Sequence, residues 1–197
     1  MANRNPVRSA WFVSVLSVVW TVTASSVAIG LGVTDNSAVL VAFGAIGFVD
    51  ALGSVALVYH FRHALRHDEL SERLENIAHR VVVIGLLSVG VGAVVSGTVR
   101  LIVESTGGSS MAGTVLAAIS LVVLIGLSAC KQRLARRVGS NALLADGRLS
   151  GVGAMQAGVT LFGTLAASRL DWDWADALAA SLVGLFAIGV AIATRRA

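Results

Sequence analysis

The stretch GAIGFVDALGS, residues 44–54, places one carboxylate, Asp50, inside an apolar run from Ser37 to Phe61 that holds no other formally charged residue. In water this arrangement would be ordinary. Inside a membrane an isolated aspartate near mid-depth costs at least about 2.5 kcal/mol, and such residues face a polar cavity, a partner or an ion. The solvent around the run therefore decides what Asp50 means.

Composition answers that question. The chain is 56% hydrophobic and 13% charged, with a mean hydropathy of +0.83. A soluble domain carries about 25% charged residues, so this chain lacks the polar material to cover a globule and is expected to be solvated by lipid. A single Pro and 21 Gly suit helices packed closely in a bilayer, where small residues let backbones approach. The one cysteine, Cys130, forbids an intrachain disulfide or a CxxC metal pair and reads as an apolar filler at a helix end.

A crossing needs roughly 20 mostly apolar helical residues. Six segments meet that length: 10–32, 37–61, 81–103, 111–130, 142–165 and 174–194. The gaps are short, so residues 1–197 are expected to form a single transmembrane domain, an all-α membrane protein built as a six-helix bundle. The first segment follows Arg4 and Arg8, as in a signal peptide, but it exceeds the usual apolar length of about 7–15 residues and no A-x-A site follows it. It is read as a retained helix.

Basic residues set the orientation. Arg4 and Arg8, the arginines between segments 2 and 3, the group from Lys131 to Arg148, and Arg195 with Arg196 make 13 of the 15 Lys and Arg; only Arg100 and Arg169 lie on the other side. The positive-inside rule then places both termini in the cytoplasm, with the chain in the inner (plasma) membrane as a multi-pass protein. The pI near 10.5 reflects this topology and gives nucleic-acid binding no support; the expected partner is the bilayer.

Asp50 admits two readings. It holds an ion or a proton, or it is a protonated carboxyl bonded to a neighbouring helix as structural glue. Ser54 lies one turn along the same face. In NALLADGRLSGVGAMQAG, residues 141–158, Asp146 is followed by Ser150 one turn deeper and by Gln156. Asp146 also suits a helix start, where a carboxylate complements the dipole, with Asn141 as the expected N-cap. His60, His63 and His67 fall on one helical face, followed by Asp68 and Glu69. Such a set suits transient binding of Zn²⁺ or a related ion. The competing reading, which we favour, is a solvated amphipathic extension of mixed charge. Ser88, Gly92 and Ser96 read as a small-residue packing stripe, Trp11, Trp172 and Trp174 as interfacial belts, and Asp176 as a dipole partner of the last helix. No nucleophile elbow, HExxH motif or phosphate loop is visible, so an enzyme is not expected.

The order of these features resembles the cation diffusion facilitator family, the cation-efflux proteins that exchange Zn²⁺ and similar ions for protons. GFVDALGS resembles its helix 2 motif, LLADGRLSGVGA its helix 5 motif, and DWDWADALAASLVGL the start of its helix 6. The resemblance spans roughly residues 10–194. It implies a homodimer and a transported divalent cation such as Zn²⁺, with no bound cofactor. It also implies a mid-membrane metal site from two helix 2 residues four apart and an HxxxD pair on helix 5. Asp50 matches the second helix 2 ligand. The other three positions fall on Ile46, Leu149 and Gly153. The chain closes at Ala197, so the family's cytoplasmic C-terminal domain is not expected. The sequence thus points to a cation-efflux-like transporter with a site centred on Asp50 and Ser54, Asp146 and Ser150 as weak polar partners. The alternative is a membrane scaffold that kept the fold and lost the site.

The topology is testable. With Cys130→Ser as background, single cysteines at positions 36 and 107 should react with an impermeant maleimide in intact cells. Reaction only after permeabilisation would invert the assignment.

Overall fold

The computed structural model describes residues 4–34, 38–67, 70–103, 111–170 and 173–195. They form six helices: α1 (Arg4–Thr34), α2 (Ala38–His67), α3 (Glu72–Val103), α4 (Met111–Val138), α5 (Asn141–Leu170) and α6 (Asp173–Arg195). Apolar solvent leaves a backbone no partner but itself, which is why the apolar runs become helices. The only proline, Pro6, falls in the first turn of α1, where a missing amide hydrogen costs nothing. Among the described residues four stretches are each long and apolar enough to cross a membrane: Asn5–Thr34, Phe43–His67, Glu72–Val99 and Met111–Val138; Ser181–Arg195 of α6 is a shorter apolar helix. The outer surface is apolar too, with Phe12, Leu52, Tyr59, Ile84, Val122 and Phe162 exposed. This is a multi-pass all-α membrane protein.

The helices exceed the expected spans. A helix of 30 residues, such as α2, is about 45 Å long against a hydrocarbon core of about 30 Å. The extra turns of α1, α2, α3 and α4 project at the end where α1 begins and α6 ends. There Arg62, Arg66, Arg73, Arg80, Arg136 and Arg137 are all exposed, and this is termed the basic end.

The ends of the helices follow from local chemistry. Gly139 has φ +74°, and the amides of Gly139 and Ser140 both donate to Ala135 O at 2.8 and 3.2 Å. A left-handed glycine closes α4 in this way, so the connection to α5 is only Gly139 and Ser140. Ser140, rather than the expected Asn141, is the N-cap of α5: its Oγ accepts the Leu143 amide at 3.1 Å, the side-chain cap geometry of a serine. Glu75 of α3 accepts the Ala142 amide at 2.8 Å and so caps the same terminus from a neighbouring helix.

The packing is a closed circuit. In order α1, α2, α3, α6, α5 and α4 each touch the next, α4 returns to α1, and α5 also reaches α2 and α3 across the ring. Consequently α2 and α5 face one another at the centre. An apolar cluster built on Leu57, Phe61, Ala135 and Leu143 fills the basic end. A second, with Leu86, Leu149 and Val152, lies where α3, α5 and α6 meet.

The close approach on α3 does not use the expected stripe. Ser88 is exposed. Gly90 instead meets Gly184 of α6, where a Cβ added to Gly90 would lie 2.9 Å from Gly184 O and 2.7 Å from Ile188 Cγ1. Trp11 is half-buried and packs on the basic-end cluster, so it is a core residue as much as an interfacial one. Trp172 lies outside the described residues, as do the side chains of Trp174 and Asp176.

Because backbone lies on both sides of the Gly90–Gly184 contact, side-chain repacking cannot relieve a clash there. Gly184→Val should cost about 1–3 kcal/mol, the usual penalty for overpacking, read as a lower melting temperature in detergent. Gly189→Val on the same helix, where a Cβ meets nothing within 4 Å, should leave it near wild type.

Candidate cation site

Two polar layers lie inside the bundle, beyond the apolar cluster of the basic end. The nearer layer centres on Lys131 of α4, whose side chain has no exposed surface. Its Nζ lies 2.6 Å from Asp146 Oδ2 and donates to Ser17 Oγ at 2.7 Å and Ser150 Oγ at 2.9 Å. Ser54 Oγ is 3.2 Å from the same nitrogen and donates to Asp146. An ammonium has three donors, and here the acceptors come from α1, α2 and α5. Gly147 makes the approach possible: a Cβ there would stand 2.8 Å from Gln132 Cγ and 3.2 Å from Lys131 Cβ.

This layer revises several expectations. Ser54, Asp146 and Ser150 do converge, but on Lys131 rather than on Asp50. Asp146 is the sixth residue of α5, which has no acidic residue in its first turn, so its partner is the ammonium and not the helix dipole. Lys131 itself belongs to the core, not to the basic surface; the other basic residues keep the charge asymmetry without it. Cys130, expected at a helix end, is an exposed residue well inside α4.

The deeper layer surrounds Asp50. A cavity of about 40 Å³ is lined by residues of α1 to α5, including Thr21, Ser25, Asp50, Ser120 and Gln156. Such a volume admits a small cation with about one or two waters. Asp50 Oδ1, Thr21 Oγ1 and Ser120 Oγ are buried without a hydrogen-bond partner. Buried polar atoms are ordinarily satisfied, and three of the unpartnered ones lie around this one cavity. Ile46, Leu149 and Gly153 line the same cavity. The four positions that the sequence resemblance assigned to metal ligands thus meet in space, one of them a carboxylate and three without a donor side chain.

Asp50 also feels the charges of Lys131 and Asp146. Ser54, on the ammonium, is one turn or about 6 Å from Asp50 along α2. Unit charges so separated interact by about 3 kcal/mol at an effective dielectric of about 20. The two layers are therefore one electrostatic unit.

The histidines do not form a cluster. His60 is buried, its Nε2 3.0 Å from Glu75 Oε2, and Glu75 also accepts from Ser140 Oγ at 3.0 Å. This group ties α2 and α3 to the start of α5. His63 and His67 stack on each other with centroids 4.4 Å apart. Among the described residues no three His, Cys, Asp or Glu side chains are placed to hold a metal ion; Asp68 and Glu69 lie outside them.

The described residues form a six-helix bundle of a multi-pass membrane protein, with a buried carboxylate on an internal cavity lined from α1 to α5. Residues 14–196 match the model of the cation efflux transmembrane domain, and the chain belongs to that family. A comparison with curated proteins finds no match.

Breaking a buried ion pair from one side leaves an uncompensated charge. Lys131→Met and Asp146→Leu should each destabilise the protein by about 3–5 kcal/mol, whereas the double variant should recover most of the loss. Thermal unfolding of the four proteins in one detergent measures the cycle; additive losses would deny the coupling.

Proposed function

We infer that this protein moves a cation or a proton across its membrane through the cavity at Asp50. The family makes it a cation-efflux-type membrane protein. The observation that carries the finer reading is the convergence of positions 46, 50, 149 and 153 on one cavity with an unpaired carboxylate oxygen. Asp50 would be the exchangeable anionic group, accepting a cation from one side and a proton from the other. The cavity wall is mostly apolar, and the polar groups on it, the hydroxyls of Thr21, Ser25 and Ser120, the Gln156 amide and the Asp50 carboxylate, are oxygen donors of the kind that hard cations take. It does not supply the tetrahedral nitrogen and sulfur donors that Zn²⁺ favours. A second reading, a scaffold that kept the fold, draws support from the apolar side chains at Ile46 and Leu149 and the bare Gly153.

Proteoliposomes with an internal pH dye separate the two. Imposed cation gradients, monovalent and divalent in turn, should drive a pH change with wild-type protein that falls to background in Asp50→Asn, while the variant keeps its melting temperature. Equal flux in both proteins would remove Asp50 from the pathway. No flux in either would favour the scaffold.

A further inference from the structure

Lys131 has a consequence for what the cavity accepts, which rests on the reading of the cavity as a cation site. Among the described residues the buried formally charged side chains are Asp50, Lys131 and Asp146, with His60 apart at the basic end. Arg148 of α5 is half-buried and directed to α6, donating to Thr194 Oγ1 at 2.9 Å. With both carboxylates ionised the two layers together hold two negative charges and one positive, a net charge of minus one. In a medium that stabilises isolated charge poorly, the cation that enters is the one that brings this sum to zero. A singly charged ion does so. A divalent ion would leave a buried excess of one positive charge, and it would meet twice the repulsion from the ammonium that a monovalent ion meets.

We propose that Lys131 is a resident cation that fixes the charge of the cargo at one and excludes divalent ions from the Asp50 cavity. The ammonium contacts Asp146 Oδ2 at 2.6 Å, Ser54 Oγ donates to the same carboxylate, and hydroxyls from α1, α2 and α5 surround the ammonium. Asp146 is thereby occupied, and Asp50 is the carboxylate that lines the cavity. Helix α4 thus contributes a specificity-determining residue in addition to the Ser120 hydroxyl that lines the cavity. Replacing the ammonium by a neutral group of similar length would lower the net charge to minus two and release Asp146, which together give a divalent ion the neutralisation it lacks.

Mn²⁺ binding to the purified full chain in detergent, followed by electron paramagnetic resonance, tests this directly. Wild type should show no site tighter than millimolar. Lys131→Gln should bind Mn²⁺ at least about tenfold more tightly, and adding Asp50→Asn should abolish the gain. A folded Lys131→Gln protein with no gain would overturn the proposal, as would a wild-type site as tight as that of the variant. If Lys131→Gln proves unfolded by circular dichroism, wild type decides. A submillimolar Mn²⁺ site there that Asp50→Asn removes would contradict the proposal, and its absence would support it. Transport and charge selection fail separately: an Mn²⁺ gain without any flux would remove the transport reading and keep the role of Lys131.

Discussion

The ion pair between Lys131 and Asp146 is the constraint around which the interior is arranged. Neither side chain has exposed surface, and a charge so placed survives only if its partners are fixed and complete. That requirement ties four helices together at one level: α4 supplies the ammonium, α5 the carboxylate and Ser150, α1 Ser17 and α2 Ser54. A slide of any one helix by a turn would break the set. Apolar packing in a bilayer gives little register information, because lipid tails are as apolar as leucine. The polar layer provides it.

Everything deeper follows from that register. Asp50 lies one turn beyond Ser54, Thr21 one turn beyond Ser17, and Gly153 and Gln156 beyond Ser150. Locking the first layer therefore sets which faces meet in the second. The second layer is left incomplete, with unpaired oxygens on Asp50, Thr21 and Ser120. One polar layer is closed by an internal cation; the next leaves a carboxylate oxygen unpaired. At the basic end, Glu75 does a related job by capping α5 while facing His60, which fixes α3 against the helix that carries Asp146.

The bundle was legible in the sequence because lipid demands long apolar helices and basic residues collect at one end. Asp50 stood out for the same reason, a lone charge in an apolar run. Lys131 did not, because it follows the apolar run of α4 at once and precedes Arg133, Arg136 and Arg137, as an interfacial residue would. A signal was nevertheless present: Lys131 is the only lysine in a chain whose other basic residues are arginines. A compact ammonium fits a shell of three hydroxyls and one carboxylate that a planar guanidinium would not. The exposed Ser88 and the Gly90–Gly184 contact show a second limit. Spacing alone marks a face that small residues share, but only the partner helix decides which glycine is used.

The most direct measurement is the distance between the Lys131 ammonium and its carboxylate partner in the membrane-embedded protein. With ¹⁵N-lysine the chain yields a single side-chain ammonium signal, so rotational-echo double-resonance NMR against ¹³Cγ-aspartate needs no assignment of lysines. The account predicts strong dephasing, matching a nitrogen-to-carbon separation of about 3.5 Å, that disappears in Asp146→Asn. An ammonium signal undephased by any aspartate, as for a lysine in water at the surface, would contradict it.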